Sequence, residues 1–246
     1  ELAGVLQGVD IPVIVKNPLH PDVGLWLGAL ERLNHAGIQK LVAIHRGFYY
    51  YHHALYRNQP MWEIPIELQR RVPGLPVICD PSHICGRRDL LLPVSQKALD
   101  LEMAGLMIES HLDPDHALTD ASQQLTPEDL EILINALVVR QSTGNKEFES
   151  KLEKLQREID KMDAELLDIL SKRLKIVDEI GQYKKENNIT ILQIKRWRDI
   201  FYDRLNLGSR MGLSQDFLFK LLQLLHEESI LRQEEIMGLK EIGKTE

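Results

Sequence analysis

Polar side chains follow each of four short apolar runs in the first part of the chain, at the point where the run ends. They form four groups, at residues 16–17 (KN), 45–47 (HRG), 80–83 (DPSH) and 109–111 (ESH). Lysine and arginine bind anions, and histidine near carboxylates can transfer protons. Any one group could be a solvated strand end. Four in succession are typical of a catalytic face, because the carboxyl ends of parallel strands meet at one rim.

The densest group lies in the sequence VICDPSHICGRR, at residues 77–88. Its apolar start, Val77–Cys79, has the length and branching of a buried strand. The polar residues from Asp80 to His83 follow at once, and the chain then turns at Gly86 into two arginines. The alternative interpretation is an Asp-Pro turn that carries a surface histidine.

Strands and helices alternate around these groups. The pattern predicts strands at residues 11–16, 40–44, 77–79 and 105–108, and helices at 22–36, 65–71, 87–101 and 127–137. This alternation indicates an α/β fold with a parallel sheet. Four strands cannot close the usual eight-stranded barrel, so we expect that a partner supplies the rest or that the chain lacks its first half. Loop 48–64 is either a lid or a packed interface, and its histidines receive no ligand role.

The composition is that of a globular protein with two domains or one large one. The chain has 246 residues, 43% hydrophobic and 27% charged, and a net charge of −7. Because the net charge is negative, the protein has no overall positive field that would attract nucleic acid or an anionic membrane. No apolar run is long enough to span a bilayer. The two cysteines form no disulfide framework, which predicts a cytoplasmic protein. Because the chain opens with Glu1 inside a helical pattern, we expect a fragment of something longer.

The pattern changes near residues 141–146, where QSTGNK predicts a linker. We place a first domain at residues 1–142, the linker at 143–147 and a helical domain at 148–246. Helices are predicted at 147–187, 192–206 and 214–237, with a turn at 208–213. The first carries one apolar stripe with three-four spacing over some forty residues. Such a helix needs a partner, and a second copy in a two-fold dimer would supply it.

Charged and polar side chains interrupt the apolar stripes of the helical domain. Arg173 and Lys184 lie where the seam of the long helix would take a leucine, at about 100° per residue. Ser229 and Gln233 lie on or beside the stripe of the last helix. Burying unpaired cations is costly, although long side chains can also extend to the surface. The more specific alternative to surface exposure is a pocket between helices in which these side chains bind an anion.

The first part of the chain resembles the second half of 3-deoxy-D-arabino-heptulosonate 7-phosphate (DAHP) synthase, a (β/α) TIM barrel. The matching motifs are VKNP (15–18), HRGF (45–48), DPSH (80–83), GRRD (86–89), IESH (108–111) and LTDA (118–121). The resemblance implies that His83, Glu109 and Asp120 bind a divalent metal, Mn²⁺ first, with Fe²⁺, Co²⁺ or Zn²⁺ as alternatives. It also implies phosphoenolpyruvate and erythrose 4-phosphate as substrates.

The same resemblance assigns phosphoenolpyruvate binding to Lys16, counted as catalytic, and to Arg46. A cysteine on the first strand is the fourth metal ligand in that family and is absent here. Cys85 stands where a glycine is expected, so it is not counted as a ligand.

Residues 148–236 resemble the all-helical chorismate mutase. The matching segments are 152–173, 179–186 (EIGQYKKE), 194–197 (IKRW) and 226–233 (HEESILRQ). The resemblance implies catalytic roles for Arg173, Lys184 and Gln233, and substrate binding by Arg196 and Ser229. Chorismate is a dicarboxylate that rearranges to prephenate without covalent help, so the site must clamp a compact conformer.

Three residues depart from the mutase pattern. Gln156 stands where the family has an arginine that reaches the neighbouring subunit's site, and Gln193 and Trp197 occupy positions that are usually acidic. Gln156 and Gln193 are nevertheless counted as substrate-binding. We therefore predict a bifunctional synthase and mutase; the helical part could instead sense chorismate or prephenate, or serve only as a dimerisation arm.

Overall fold

A computed structural model describes residues 2–51, 55–141, 143–192 and 194–238, with the side chains of Leu2 and Lys195 left aside. The chain divides into two compact units, Glu1–Ser142 and Thr143–Glu246. The first is α/β and the second is all-α, which confirms the predicted fold class. Over the described ranges, no helix has the length and apolar character needed to span a membrane.

The first unit is built on a four-stranded parallel sheet with its strands in sequence order. The strands are β1 (Val13–Lys16), β2 (Leu41–His45), β3 (Val77–Cys79) and β4 (Gly105–Leu106). Their register pairs Lys16 with Ile44, His45 with Cys79, and Cys79 with Leu106. The polar groups of the sequence therefore emerge at one edge of the sheet. β1 and β4 are shorter than predicted.

The part of this unit that the structure describes has six α-helices: α1 (Leu2–Val5), α2 (Val23–His35), α3 (Glu63–Arg71), α4 (Pro81–Cys85), α5 (Leu91–Asp100) and α6 (Pro127–Ala136). Asp22 and Thr126 cap α2 and α6 by accepting bonds from backbone N–H groups. α5 begins later than predicted, because a 3₁₀ turn, Arg88–Leu90, comes first. α3 begins earlier, since Pro65 is tolerated in its first turn.

Two apolar clusters hold the sheet and helices together. One contains Trp26, Leu30, Ala43, Leu68 and Val77 and joins α2 and α3 to the sheet. The other packs α4 and α5 beside β3 and is centred on Cys79, Ile84, Leu91, Val94 and Ala98. The second cluster contains Cys79, the last residue of β3, and the ring centroid of Trp26 in the first cluster lies 6.5 Å from that of His45, the last residue of β2. The loops that leave these two strands therefore start next to packed apolar residues.

His45, the last residue of β2, is fully buried among aromatic rings. Its ring centroid lies 5.3 Å from that of Trp62 and 5.6 Å from that of Phe48. Neither ring nitrogen has a hydrogen-bond partner of good geometry among the described residues. Burial lowers the pKa of His45 from 6.5 to about 4, and the backbone of Pro60 and the charge of Asp80 offset this only in part.

The stability of the first unit should therefore fall in acid. The unfolded chain takes up this proton at higher pH than the folded one, so the contribution of His45 is complete above pH 6.5 and is lost as the pH falls towards 4. The difference is worth up to about 3 kcal/mol in the free energy of unfolding. Urea unfolding, followed by tryptophan fluorescence in a Trp197→Phe background, measures it.

The control for this measurement is a pair of variants. His45→Leu should lose much less stability between pH 7 and pH 4 than the parent protein, and His20→Leu, at an exposed position, should keep the parent's loss. Equal losses in His45→Leu and the parent would show that His45 is not the group responsible.

In its described residues, the second unit has three helices: α7 (Lys146–Glu186), α8 (Ile194–Arg210) and α9 (Gln215–Met237). Asn145 and Ser214 cap α7 and α9. α8 runs past its predicted end, and Gly208 lies inside it rather than in a turn. A Cβ on Gly208 would lie 2.7 Å from the side chain of Leu218, so the glycine permits close packing of α8 on α9. The turn itself is made at Gly212, whose φ is +86°.

Candidate functional sites

Three side chains of the first unit converge beyond the carboxyl ends of β3 and β4. Nε2 of His83 lies 3.7 Å from Oε1 of Glu109 and 4.0 Å from Oδ2 of Asp120. One possible ligand atom from each residue lies within 4.8 Å of the other two. An imidazole nitrogen and two carboxylate oxygens at such separations fit around a first-row divalent ion with bonds of roughly 2.0–2.3 Å.

Asp80 fixes the histidine of this trio. Its Oδ2 lies 2.6 Å from Nδ1 of His83, and its Oδ1 accepts a bond from the His83 backbone N–H. Because Nδ1 faces Asp80, Nε2 is the nitrogen left for the centre of the trio. Carboxylates orient metal-binding histidines in this way.

Gln123 and Arg57 fix the two carboxylates. Nε2 of the buried Gln123 donates to Oε2 of Glu109 over 2.8 Å. The guanidinium of Arg57 donates to Oδ1 of Asp120 and to Oε1 of Gln123, both over 2.7 Å. Each carboxylate thus has one oxygen held from outside and directs the other towards His83. This linked arrangement is the observation that fits the trio to a metal.

The loop after β3 owes its shape to its sequence. Asp80 caps α4, and Pro81 fits the first helical position because no N–H is needed there. Gly86 ends the helix with a φ of +67°, and a Cβ on it would lie 2.6 Å from Cβ of Arg57. Glycine at this position therefore lets Arg57 lie against the loop. Ser82 completes the frame, since its hydroxyl accepts the backbone N–H of Glu109.

Lys16 and Arg46 leave the neighbouring strands β1 and β2 at the same edge of the sheet. The buried side chain of Asn17 joins these strand ends: it accepts the backbone N–H of Arg46 over 2.7 Å and donates to the carbonyl of Gly47. Lys16 is exposed, whereas Nε of Arg46 is buried and has no hydrogen-bond partner among the described residues.

The two cysteines stay outside this chemistry. Both are buried and free. Burial raises the pKa of Cys85 to about 12, and burial also raises the pKa of Cys79, so both remain protonated thiols. His52 and His53 lie outside the described residues.

The second unit contains a cavity of about 560 Å³ between its helices. Arg173 and Lys184 of α7, Arg196 of α8, and Ser229 and Gln233 of α9 all line it. The structure therefore brings together five of the residues predicted to bind chorismate. Isoleucines form much of the remaining wall. A cationic lining on an apolar wall suits a compact organic dianion.

The cations of this cavity are held in place by the protein. The guanidinium of Arg173 donates to the Ser229 hydroxyl over 3.0 Å, and that hydroxyl donates to the Leu225 carbonyl. Lys184 donates to the carbonyl of Ile191. Burial lowers the pKa of Arg173 and of Lys184, and the neighbouring charges of Arg204 and Arg196, respectively, lower them further. Such crowding of like charges disfavours the empty cavity and is relieved when an anion binds.

Gln233 uses its amide differently from the expected role. Its Nε2 donates to the Ser229 carbonyl over 2.9 Å, and its Oε1 is buried without a partner among the described residues. The amide nitrogen carries two N–H groups, so the second N–H of Gln233 is the donor left for an ether oxygen.

Two residues predicted to bind chorismate remain, Gln156 and Gln193. Gln156 is exposed on α7 and does not line the cavity. Gln193 lies outside the described residues. Lys172, Trp197, Arg204 and His226 also line the cavity. Trp197 was singled out in the sequence only as a departure from the mutase pattern.

The comparisons with known proteins divide the chain in the same way. The model of the DAHP synthetase I family matches residues 2–143, which is more than half of the chain. The chain belongs to this family. A second model, chorismate mutase type II, matches residues 155–234. Both resemblances seen in the sequence are thus confirmed.

Individual relatives agree with this assignment to the DAHP synthetase I family. Phospho-2-dehydro-3-deoxyheptonate aldolase of Thermotoga maritima is 32% identical over 46% of this chain and 33% of its own length. The bifunctional chorismate mutase/prephenate dehydratase of Buchnera aphidicola is 33% identical over 33% of this chain and 21% of its own length. The chain thus spans a third or less of either relative.

A solved structure supports the fold of the same region. The truncated form of the Thermotoga maritima DAHP synthase matches with a TM-score of 0.51 and 28% identity, over 55% of this chain and 50% of that chain. The parallel sheet and helices of the first unit are therefore those of part of a DAHP synthase barrel.

Sequence reasoning missed the residues that orient His83, Glu109 and Asp120. Asp80 stood in a recognised motif, but its place against His83 depends on the turn of α4. Arg57 and Gln123 come from loops, and no periodic pattern marks them. Gln123 lies close to the LTDA motif, but its burial, which would have singled it out, is known only from the structure.

Proposed function

We propose that this protein is a bifunctional enzyme of aromatic amino-acid biosynthesis. The barrel unit condenses phosphoenolpyruvate with erythrose 4-phosphate to DAHP, and the helical unit converts chorismate to prephenate. The observation that carries the proposal is that two residue sets, each implied by one family, form two side-chain clusters, one in each unit. No nucleic acid or membrane enters the proposal.

In the barrel unit, His83, Glu109 and Asp120 would hold a divalent ion, Mn²⁺ first among the candidates. When bound, the ion polarises the aldehyde of erythrose 4-phosphate. Lys16 and Arg46 bind the phosphate and carboxylate of phosphoenolpyruvate, and Asn17 keeps the two strand ends at a fixed spacing for this purpose. Arg57 and Gln123 keep the carboxylates turned inwards.

In the helical unit, the two carboxylates of chorismate bind Arg173, Arg196 and their neighbours. The reaction is unimolecular, so its rate depends on holding the compact conformer and on donors at the ether oxygen, where negative charge develops. Lys184 supplies a charged donor there. The second N–H of the Gln233 amide supplies another donor, and Ser229 fixes the position of Arg173.

The second candidate function for the helical unit is sensing of chorismate or prephenate. Gln156 favours it, since a neutral, exposed side chain stands where the family has an arginine that completes the neighbouring site. A pure dimerisation arm is disfavoured, because five cations on a cavity wall serve no purpose in mere association.

Product analysis tests the proposal. The protein is incubated with chorismate, or with phosphoenolpyruvate, erythrose 4-phosphate and Mn²⁺, and the products are separated by chromatography. Prephenate is the expected product of this chain. DAHP is expected only when the four strands are completed to a closed barrel that supplies the family's cysteine ligand, since the part of the chain that the structure describes has neither. Bound but unchanged chorismate would support the sensor instead, and a completed barrel that forms no DAHP would contradict the synthase activity.

The helical unit should also form a two-fold dimer through α7. The apolar stripe of this helix is exposed, with Ile159 at 57%, Met162 at 65% and Leu166 at 54%. The burial of this stripe by a second copy removes the exposed patch. Leu152 and Leu170 complete the predicted interface.

Light scattering of the purified protein measures the dimer. At micromolar concentration the wild type should have twice the mass of the chain, and Leu166→Asp should reduce it to the monomer, since the two-fold axis places each substitution in the interface twice. Lys161→Asp, an exposed position away from the stripe, is the matched control and should remain dimeric. A monomeric wild type would contradict the proposed interface.

The free cysteines fit a reducing compartment. We therefore propose the cytoplasm as the location, in line with the substrates.

A further inference from the structure

The cavity of the helical unit is rich in charged donors. Five of the described lining residues are cations: Lys172, Arg173, Lys184, Arg196 and Arg204. Among the lining side chains that the structure describes, none is a carboxylate, and Oε1 of Gln233 is a buried acceptor without a partner. Lysine and arginine donate hydrogen bonds and accept none. The cations can thus hold the carboxylates and ether oxygen of chorismate, but they cannot accept the hydrogen bond that its ring hydroxyl donates.

His226 of α9 lies on this wall and carries ring nitrogens. Its ring stacks on the indole of Trp197 from α8, with centroids 3.6 Å apart and planes 11° apart. The stack fixes the ring plane, so the two nitrogens can move only within that plane. Phe201 also packs against Trp197, with ring centroids 5.3 Å apart and planes 55° apart.

The nitrogens of His226 are available to a ligand. In the part of the chain that the structure describes, no side chain or backbone group forms a hydrogen bond with them. Partial burial lowers the pKa of His226, the charge of Arg173 lowers it further, and Glu227 raises it. The ring is therefore neutral near pH 7, and a neutral imidazole has one nitrogen that accepts a hydrogen bond.

We propose that His226, held flat by Trp197, recognises the ring hydroxyl of the substrate in the cation-lined cavity. The inference rests on the proposed mutase function and adds to it a residue that determines specificity. The acceptor nitrogen accepts a hydrogen bond from the hydroxyl, while the cations bind the carboxylates. The hydroxyl of Ser229 is already engaged, since it donates to the Leu225 carbonyl and accepts from Arg173.

The test compares chorismate with its analogue that lacks the ring hydroxyl. The quantity measured is the ratio of kcat/KM for the two compounds. A site that binds the hydroxyl leaves a polar group unpaired when the hydroxyl is missing, so the wild type should prefer chorismate by roughly tenfold or more. His226→Phe keeps an aromatic ring on Trp197 but has no acceptor, and its ratio should fall close to one.

Two further variants separate recognition from packing. His226→Asn restores an acceptor and should recover part of the preference. Trp197→Phe retains a stacking partner and should keep most of it. A ratio in His226→Phe equal to that of the wild type, with both rates reduced alike, would overturn the inference and leave His226 a packing residue.

Failure of the proposed function gives a different result. If the wild type binds both compounds without converting chorismate, the mutase activity is wrong. The ratio of the two dissociation constants, measured by calorimetry, then replaces the ratio of kcat/KM. A wild-type preference for chorismate that is lost in His226→Phe supports the role of His226, and equal ratios in the two proteins overturn it.

Discussion

Replacing Lys184 with alanine should lower the turnover of chorismate by a factor of about a hundred or more, with fold and dimer intact. The ammonium lies on the cavity wall and donates to a backbone carbonyl that a ligand oxygen can replace. Its charge acts on negative charge that grows in the transition state, so its loss reduces kcat more than it weakens substrate binding. Steady-state kinetics of prephenate formation measures the effect.

The matched control is Arg157→Ala. Arg157 is exposed on the same helix, where its partner is Glu153, and its loss should change the kinetics little. Arg173→Ala extends the test, since loss of a charged donor to substrate should raise KM as well as reduce kcat. Lys184→Ala turnover equal to that of the wild type would refute the assignment of this cavity as the mutase site.

Replacing Glu109 with glutamine should reduce the affinity for Mn²⁺ by more than the ten- to hundredfold that the loss of an outer partner costs. The amide keeps the size of the side chain and its contact with Gln123 but removes a charged ligand oxygen. Titration of Mn²⁺, with the free ion followed by electron paramagnetic resonance, measures this affinity.

The trio and its supports predict a graded series in this titration. Asp80→Asn should cost about tenfold, because it loosens His83 without removing a ligand. Glu31→Gln, at an exposed position on α2, should leave the affinity unchanged. A Glu109→Gln protein that binds Mn²⁺ as the wild type does would show that the trio is an acidic cluster without a metal.

The sequence predicted the order and type of the elements well, because strand and helix patterns are local. The four strands and the three long helices were found where apolar spacing placed them. Ends were less well predicted: Gly208 reads as a turn residue, yet it lies in α8 because Leu218 of α9 fills the space that a side chain would take. Such a contact depends on how two helices pack, and no local pattern records it.

The residues of the candidate sites also fall into two groups: those that a local sequence pattern reveals and those that only the packing of the fold reveals. Arg173 and Lys184 could be found because a cation on an apolar stripe conflicts with burial. Arg57 could not, since its role arises from a loop folded onto Gly86 and Asp120. The stack of Trp197 on His226 was also hidden, because it depends on the rotation of α8 against α9.

The central claim, that the helical cavity is a chorismate mutase site, is tested most directly by a proton NMR time course of chorismate mixed with the wild-type protein. The account predicts that chorismate signals are replaced by those of prephenate at a rate proportional to protein concentration. Chorismate signals that broaden on binding but persist, with no prephenate above the uncatalysed rate, would contradict it.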